Sequence, residues 1–323
     1  MRHVFAINPY SGKGSGITEL PAQISAACAE AGIVPELYNK PDKEGMLRFV
    51  REAARTATEE EPVRVYACGG DGTLYCVVNA TWGCPHVQIA AVPFGSGNDF
   101  IRLFGVKEEL QDIRLHINGT PHWIDAIDCE SILPETGESV HEIAINQCSM
   151  GLDAEVCAKQ AAFKKLPWMT GEFAYTASSL YCITQRFHSE FTVQIDDQPP
   201  VKGPFLFALG GNSRWYGGGY KGCPRALPDD GLLDCIVVRK EFGRLKLLSL
   251  LGKYKNGEHL SWPFTNFQRG KKMHIHSDEL AAVNVDGECR YVNDSTFQLV
   301  EKAVCYVIPK GSAYLADREA GKL

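Results

Sequence analysis

The sequence has no C-x2-4-C spacing: the nearest of its twelve cysteines, Cys68/Cys76 and Cys76/Cys84, stand eight apart. That argues against a zinc ribbon or a thioredoxin-type site. Cys28, Cys68, Cys235 and Cys305 sit in apolar runs and read as buried free thiols of a reducing cytoplasm. No apolar run approaches the ~20 residues that span a bilayer; the short stretch at 205–209 is typical. Signal-peptide character is also missing, because Met1-Arg2-His3-Val4-Phe5 leads straight into a strand-like segment and Asn8-Pro9. Positive charge is not in excess. Lys plus Arg is 33 against 39 Asp plus Glu, a net charge of -6, so no global attraction for nucleic acid exists, although a local basic face is allowed. There is no internal repeat, low-complexity tract or long linker. What is present is ordinary for a folded soluble chain: 323 residues, 45% hydrophobic and 22% charged, enough for one large or two medium domains.

The first third alternates. Residues 3–7, 33–38, 63–68 and 87–92 read as short buried strands, and 17–31, 44–58 and 74–80 as helices. In the first helix Leu20, Ile24, Ala27, Cys28 and Ala31 share a face, and Gly32 is the stop. This rhythm predicts an α/β domain, a parallel sheet flanked by helices, with ligands outside the carboxyl ends of the strands. From about residue 122 candidate strands come mostly in succession: 123–130, 141–147, 190–195, 205–210, 233–238, 273–276, 281–285 and 296–300. Helical patterns interrupt them near 153–165, 172–187 and 242–256. That predicts a β-rich, sandwich-like second domain. The expected division is 1–125, with about 303–323 returning to it, and 126–302.

Three glycine-rich loops follow predicted strands. Gly69-Gly70-Asp71-Gly72-Thr73 stands between an apolar strand and a helix start, so free N–H groups and the positive helix end form an anion site. Asp71 is the odd member there, because a carboxylate beside a phosphate needs a metal ion or a proton to take. The bland alternative is a strand–helix turn with Asp71 as its N-cap. Asn8-Pro9-Tyr10-Ser11-Gly12-Lys13-Gly14-Ser15-Gly16 is a second loop, lacking the Walker A spacing, in which Lys13 and backbone amides could face a phosphate. The third is Pro93-Phe94-Gly95-Ser96-Gly97-Asn98-Asp99-Phe100, where Asn98 or Asp99 can cap the coming helix. All three are expected on one edge of the sheet.

In this order the three loops resemble the catalytic domain of soluble bacterial diacylglycerol kinases, shared with sphingosine and ceramide kinases. The resemblance continues in Asn146-x-x-Ser149-x-Gly151, in Gly211-Asn212 with Gly217-Gly218-Gly219, in Pro228-Asp229-Asp230-Gly231-Leu232-Leu233-Asp234, and in Asp286-Gly287-Glu288. It spans about residues 4–290. NAD kinases and phosphofructokinase-like enzymes carry loops similar to the Gly-Gly-Asp-Gly-Thr element alone.

The resemblance implies a two-domain fold of NAD kinase/diacylglycerol kinase type with the nucleotide in the cleft between domains. It implies that Asn8, Asn39, Gly70, Asp71, Gly72, Thr73 and Ser96 bind ATP, with threonine commoner in the family near Asn39. A magnesium site would use Asp230 with the backbone carbonyls of Leu227 and Leu232, and Asp125 would connect that ion to the active site through water. Glu288 would be the general base, with Asp71 its rival, favoured in the sphingosine kinase branch. Tyr75-Cys76 stands where Asn-Glu is common in the family. The implied activity is ATP-dependent phosphorylation of a lipid hydroxyl, most simply diacylglycerol, by a cytoplasmic enzyme touching the inner face of the membrane peripherally.

Phosphoryl transfer suits these residue types, since glycine-loop amides and a hydrated magnesium ion neutralise charge while a carboxylate receives the hydroxyl proton. Two other classes stay open: a NAD kinase-like small-molecule kinase, which needs a polar closed acceptor pocket, and a catalytically silent nucleotide- or lipid-binding regulator. The acceptor lipid and the oligomeric state are also open, with a homodimer among the alternatives. Residues 239–255 combine leucines with Arg and Lys, either as a basic face for anionic lipid or as a core helix with a solvated side. Trp168, Trp215 and Tyr216 are candidates for an acyl channel, against the alternative that they are core. Taken alone, Asp229-Asp230-Gly231 and Asp286-Gly287 would be plain turns.

Overall fold

The computed structural model describes residues 1–12, 16–163, 171–185 and 188–323; Lys13 and Trp168 lie outside the described residues. The chain divides into two compact units, Met1–Ile124 with Lys302–Leu323, and Asp125–Glu301.

The first unit alternates strand and helix: β1 (Arg2–Ile7), α1 (Gly16–Glu30), β2 (Pro35–Tyr38), α2 (Lys43–Arg55), β3 (Val63–Gly69), α3 (Asp71–Thr81), β4 (Val87–Pro93) and the short α4 (Ile113–Ile117). β1 lies between β2 and β3, and β3 between β1 and β4, all parallel. Every residue of β3 is buried, as expected of a strand covered on both faces. The predicted face of α1 is the one that packs: Leu20, Ile24 and Cys28 are buried in a core with Phe5, Ile7, Tyr66 and Val92. Gly32, at φ 68°, ends the segment as a left-handed residue. The register aligns Ala6 with Tyr38, Ile7 with Cys68, and Gly69 with Pro93. The loops that follow these strands therefore leave from one edge of the sheet.

The second unit holds β5 (Thr120–Ile132, which enters from the first unit), β6 (Ser139–Ala144), β7 (Gln147–Gly151), α5 (Leu152–Phe163), α6 (Gly171–Thr184), β8 (Ser189–Ile195), β9 (Val201–Gly211), β10 (Leu233–Arg239), α7 (Arg244–Lys255), β11 (Thr265–Gly270), β12 (Lys272–Val285) and β13 (Glu288–Ile308). β6 pairs with β5, β7 and β8 each pair with β9 and β12, β10 pairs with β9 and β11, and β12 pairs with β13, all antiparallel. β9 and β12 each pair with β8 along their first halves and with β7 along their second. The expected strands 273–276 and 281–285 are thus one long strand with an irregularity between His276 and Ala281. The expected strand 141–147 is split between β6 and β7. β11 went unseen in the sequence because Thr-Asn-Phe-Gln-Arg-Gly has no apolar alternation; it pairs with the fully apolar inner part of β10. β13 runs on to place Tyr306 beside Ile89 in the first unit, and α8 (Tyr314–Glu319) follows. Among the described residues no helix is long and apolar enough to cross a membrane.

Candidate active site

The three glycine loops interlock at the carboxyl edge of the parallel sheet. Asn8 Nδ2 donates to Thr73 Oγ1 at 3.2 Å. The N–H groups of Phe94 and Gly95 both donate to Gly69 O, at 2.8 and 3.0 Å, and Asn8 N–H donates to Cys68 O at 3.0 Å. A Cβ on Gly95 would collide with the Cα of Gly70, so these two glycines are required by loop-on-loop packing. Gly72 differs. It is exposed on the first turn of α3, and a Cβ there would meet nothing within 4 Å. Glycine at a helical position costs about 1 kcal/mol relative to alanine, and here it leaves open space at the helix N-terminus.

Asp71 is not the N-cap; Gly70 is, without a side-chain bond. The Asp71 carboxylate instead accepts the Asp99 N–H at 2.7 Å and so ties the second loop to the third. Burial pushes its carboxyl above the usual carboxylate range, against the pull of the Asp99 and Asn98 N–H donors. The Asp99 side chain does not cap the short 3-10 helix it precedes; it pairs with Arg102 Nε at 3.0 Å. Asn98, at φ 53°, bonds back to Gly95, and Lys107 Nζ donates to Gly95 O at 2.7 Å. Asn39 is exposed directly after β2, and Ser96 is exposed in the third loop. Cys76 is buried, so the departure from Asn-Glu at Tyr75-Cys76 is partly a core position.

In the second unit the turn through residues 227–232 closes on Asp125. Asp125 N–H donates to Pro228 O at 2.6 Å, and its Oδ2 accepts the Gly231 N–H at 2.8 Å. Asp230 Oδ1 accepts the Leu232 N–H at 3.0 Å, and Arg269 Nη1 lies 3.8 Å from Asp230 Oδ2. Arg269 Nε also donates to Asp234 Oδ1 at 2.9 Å, while Asp234 Oδ2 is buried with no hydrogen-bond partner. Burial pushes Asp234 up to about 6, with Arg269 opposing and Asp230 reinforcing the shift. Arg225 adds a second positive charge near Asp234, but the three carboxylates Asp125, Asp230 and Asp234 outnumber the two arginines and an orphaned carboxylate oxygen remains, so the turn suits a hard cation held by oxygen. Among the described residues no three His, Cys, Asp or Glu side chains form a metal-holding group. Ligation at this turn would therefore rest mainly on carbonyls and water.

Glu288 is exposed at the start of β13, beyond a hairpin turn whose Asp286 and Gly287 both have positive φ, 47° and 102°. The turn is clamped: Asp286 accepts the N–H groups of Ile145, Asn146 and Gln147 at 2.8, 3.2 and 2.7 Å. That anchoring role was not legible in the sequence, nor were those of Asp99, Asp234 and Arg269. Only the sequence adjacency of the first three to recognised motifs hinted at it.

The second unit also holds an apolar pocket of about 520 Å³ including its mouth. Val156, Ile183, Phe207, Leu247, Leu250 and Trp262 wall it, with Asp153 as its acidic group. Asp153 is pushed up to about 6 by burial; Tyr216 Oη, 3.4 Å away, donates to it and meets Tyr254 Oη at 2.6 Å. Tyr216 is core rather than lining. α7 buries Leu247, Leu250 and Tyr254 and leaves Leu245 85% exposed beside Lys246.

An α/β unit with a backbone-built anion edge, joined to an antiparallel β unit with an apolar pocket, defines a two-domain kinase architecture. The chain belongs to the soluble bacterial diacylglycerol kinase and lipid kinase family: residues 2–129 match the diacylglycerol kinase catalytic domain, and residues 146–307, half the chain, match the YegS C-terminal NAD kinase beta sandwich-like domain. It is 28% identical over 287 residues to a diacylglycerol kinase of Staphylococcus carnosus, covering 87% of this chain and 86% of that one. It is 27% identical over 269 residues to a "Probable lipid kinase YegS-like" protein of Chromohalobacter salexigens, covering 82% of each. The crystal structure of a diacylglycerol kinase from Bacillus anthracis superposes with a TM-score of 0.67 at 17% identity, over 96% of this chain and 98% of that one; at that identity the likeness is one of fold.

Proposed function

We propose that this kinase uses ATP to phosphorylate a lipid hydroxyl, with diacylglycerol as acceptor and phosphatidic acid as product. The observation that carries the reading is the interlock of three glycine loops at one sheet edge, with Gly72 left open at the start of α3. In this reading Asn8, Asn39, Gly70, Asp71, Gly72, Thr73 and Ser96 bind the nucleotide, and the N–H groups of the α3 N-terminus meet its phosphates. Glu288 takes the proton of the acceptor hydroxyl, and the Asp286 clamp fixes where it stands. Asp71 is the rival base, and burial raises its carboxyl above the usual carboxylate range, which makes it a stronger proton acceptor. Asp230 and the carbonyls of Leu227 and Leu232, with Asp125 behind them, would hold Mg2+. When bound, that ion supplies charge neutralisation for the phosphates.

An apolar pocket favours an acyl acceptor over a polar nucleotide such as NAD. α7 serves it twice: its inner leucines wall the pocket, and its outer Leu245, Lys246 and Lys253 suit peripheral contact with an anionic membrane surface. The test is an assay with ATP, Mg2+ and micellar diacylglycerol, run beside NAD and a total lipid extract. Phosphatidate formation is expected. NADP formation, or no phosphorylated lipid from any source, refutes the reading.

A further inference from the structure

Cys157 and Cys289 face each other across α5 and β13. Both sulfurs approach the same carbonyl: Cys157 Sγ lies 3.6 Å from Gly287 O and Cys289 Sγ 4.0 Å from it. The two thiols hydrogen-bond to each other, and this bond, helped by burial, holds Cys289 protonated. Both side chains are partly exposed. A second touching pair, Cys129 and Cys148, is 1% and 0% exposed and also engages Ser131 and Ser295. Proximity alone therefore does not separate the pairs; access to an oxidant does.

We infer that Cys157 and Cys289 are a redox modification site, closing to a reversible disulfide when the protein meets hydrogen peroxide. Cys157 loses its proton to solvent, and its thiolate attacks one peroxide oxygen. The O–O bond breaks, leaving a sulfenic acid on Cys157 and a hydroxide that is protonated to water. Cys289 sulfur then attacks the Cys157 sulfur, the S–S bond forms, and the departing hydroxide takes the Cys289 proton as a second water. The pair loses two electrons and the peroxide gains them.

The location gives the bond a consequence. Cys289 is adjacent to Glu288, and its sulfur lies 3.8 Å from Asn284 Oδ1, which accepts the Gly287 N–H at 2.8 Å within the same turn. Drawing that sulfur onto Cys157 pulls the turn toward α5, the helix that also carries Asp153 and Val156 in the pocket wall. Oxidation thus displaces the proposed base and lowers turnover; this step rests on the proposed role of Glu288.

The test treats the purified full chain with hydrogen peroxide, counts thiols, and maps linked peptides by mass spectrometry without reduction. The expected result is a loss of two of the twelve thiols, a Cys157–Cys289 linked peptide, reversal by dithiothreitol, and Cys129 and Cys148 still free. Cys157→Ser and Cys289→Ser should each abolish the link, with thermal unfolding confirming that both variants fold. Twelve surviving thiols, or a link between other cysteines, overturns the site whatever the enzyme's activity. In the kinase assay oxidised protein should lose on the order of ten- to a hundredfold in turnover, the scale of a misplaced catalytic group. Dithiothreitol should restore it, and Cys157→Ser should resist the loss. A disulfide with unchanged lipid phosphorylation overturns the regulatory step alone. A reduced protein that phosphorylates no lipid refutes the kinase reading, while the mapped disulfide still stands.

Discussion

The two units build their sites from different material. In the first, backbone does most of the shaping: glycines pack loop on loop at the end of parallel strands, and the few side chains involved, Asn8, Thr73 and Asp71, bind one loop to the next. In the second, side chains dominate: a carboxylate group around Arg269, a clamped turn and an apolar pocket with a buried acid. A backbone site tolerates little change in shape, whereas a side-chain site tolerates change of shape and is sensitive to charge.

The largest effect expected concerns the base. Glu288→Gln should lower turnover by about 10²–10⁴-fold with little change in folding, measured as initial rate of lipid phosphorylation. If Asp71→Asn gives that loss and Glu288→Gln does not, the base belongs to the first unit, and the division of labour is reversed.

Next come the glycines of the first unit. Gly95→Ala forces a Cβ onto Gly70 Cα and should destabilise by roughly 3 kcal/mol, as overpacking does. Gly72→Ala, placed in open helix, should leave stability unchanged or raise it by up to about 1 kcal/mol while weakening nucleotide binding. Chemical denaturation and ATP titration on both variants test the pair. Similar loss of stability in each would mean that Gly72 is also a packing residue.

In the second unit the sensitive quantity is charge. Asp153 sits near 6 when folded and near the ordinary value of about 4 when unfolded. Between those values the unfolded chain holds fewer protons, so this group's contribution to stability falls as pH rises from about 4 to 6 and is a constant penalty above. Asp153→Asn should therefore be more stable by about 3 kcal/mol at pH 7 and lack that fall. Urea unfolding of both proteins at pH 4.5 and 7 reads the difference; a variant weaker at pH 7 would show the carboxylate to be stabilising.

The smallest effect belongs to the outer face of α7. Leu245→Glu alters a residue that is 85% exposed, so folding should not change. Binding to anionic vesicles should weaken by roughly tenfold from lost apolar contact and added repulsion. Cosedimentation that is indifferent to the substitution removes α7 from the membrane contact.

Local pattern was enough for the alternating strands and helices of the first unit, because each element carries its own period: a fully buried β3, a one-sided α1 with Leu20, Ile24 and Cys28 inward, and Gly32 to stop it. The three loops were readable from local sequence too, since a glycine run after an apolar strand marks a place where the backbone turns sharply or approaches another group closely. The second unit was read as β-rich, but β11 and the continuity of β12 were not visible. An edge strand such as Thr-Asn-Phe-Gln-Arg-Gly takes its shape from the neighbour it bonds, and an irregularity at 276–281 interrupts alternation without ending a strand.

The order of covalent letters thus determined the strands, helices and glycine turns of the first unit and most strands of the second, because those depend on neighbours a few positions apart. Only the tertiary structure decided that Asp286 holds three N–H groups from 145–147, that Arg269 is shared by Asp230 and Asp234, that α5 and β13 bring Cys157 to Cys289, and that an acid lies in an oily pocket. Each of these joins residues tens to more than a hundred positions apart, or sets a burial, and burial and long-range proximity exist only once the chain has closed on itself.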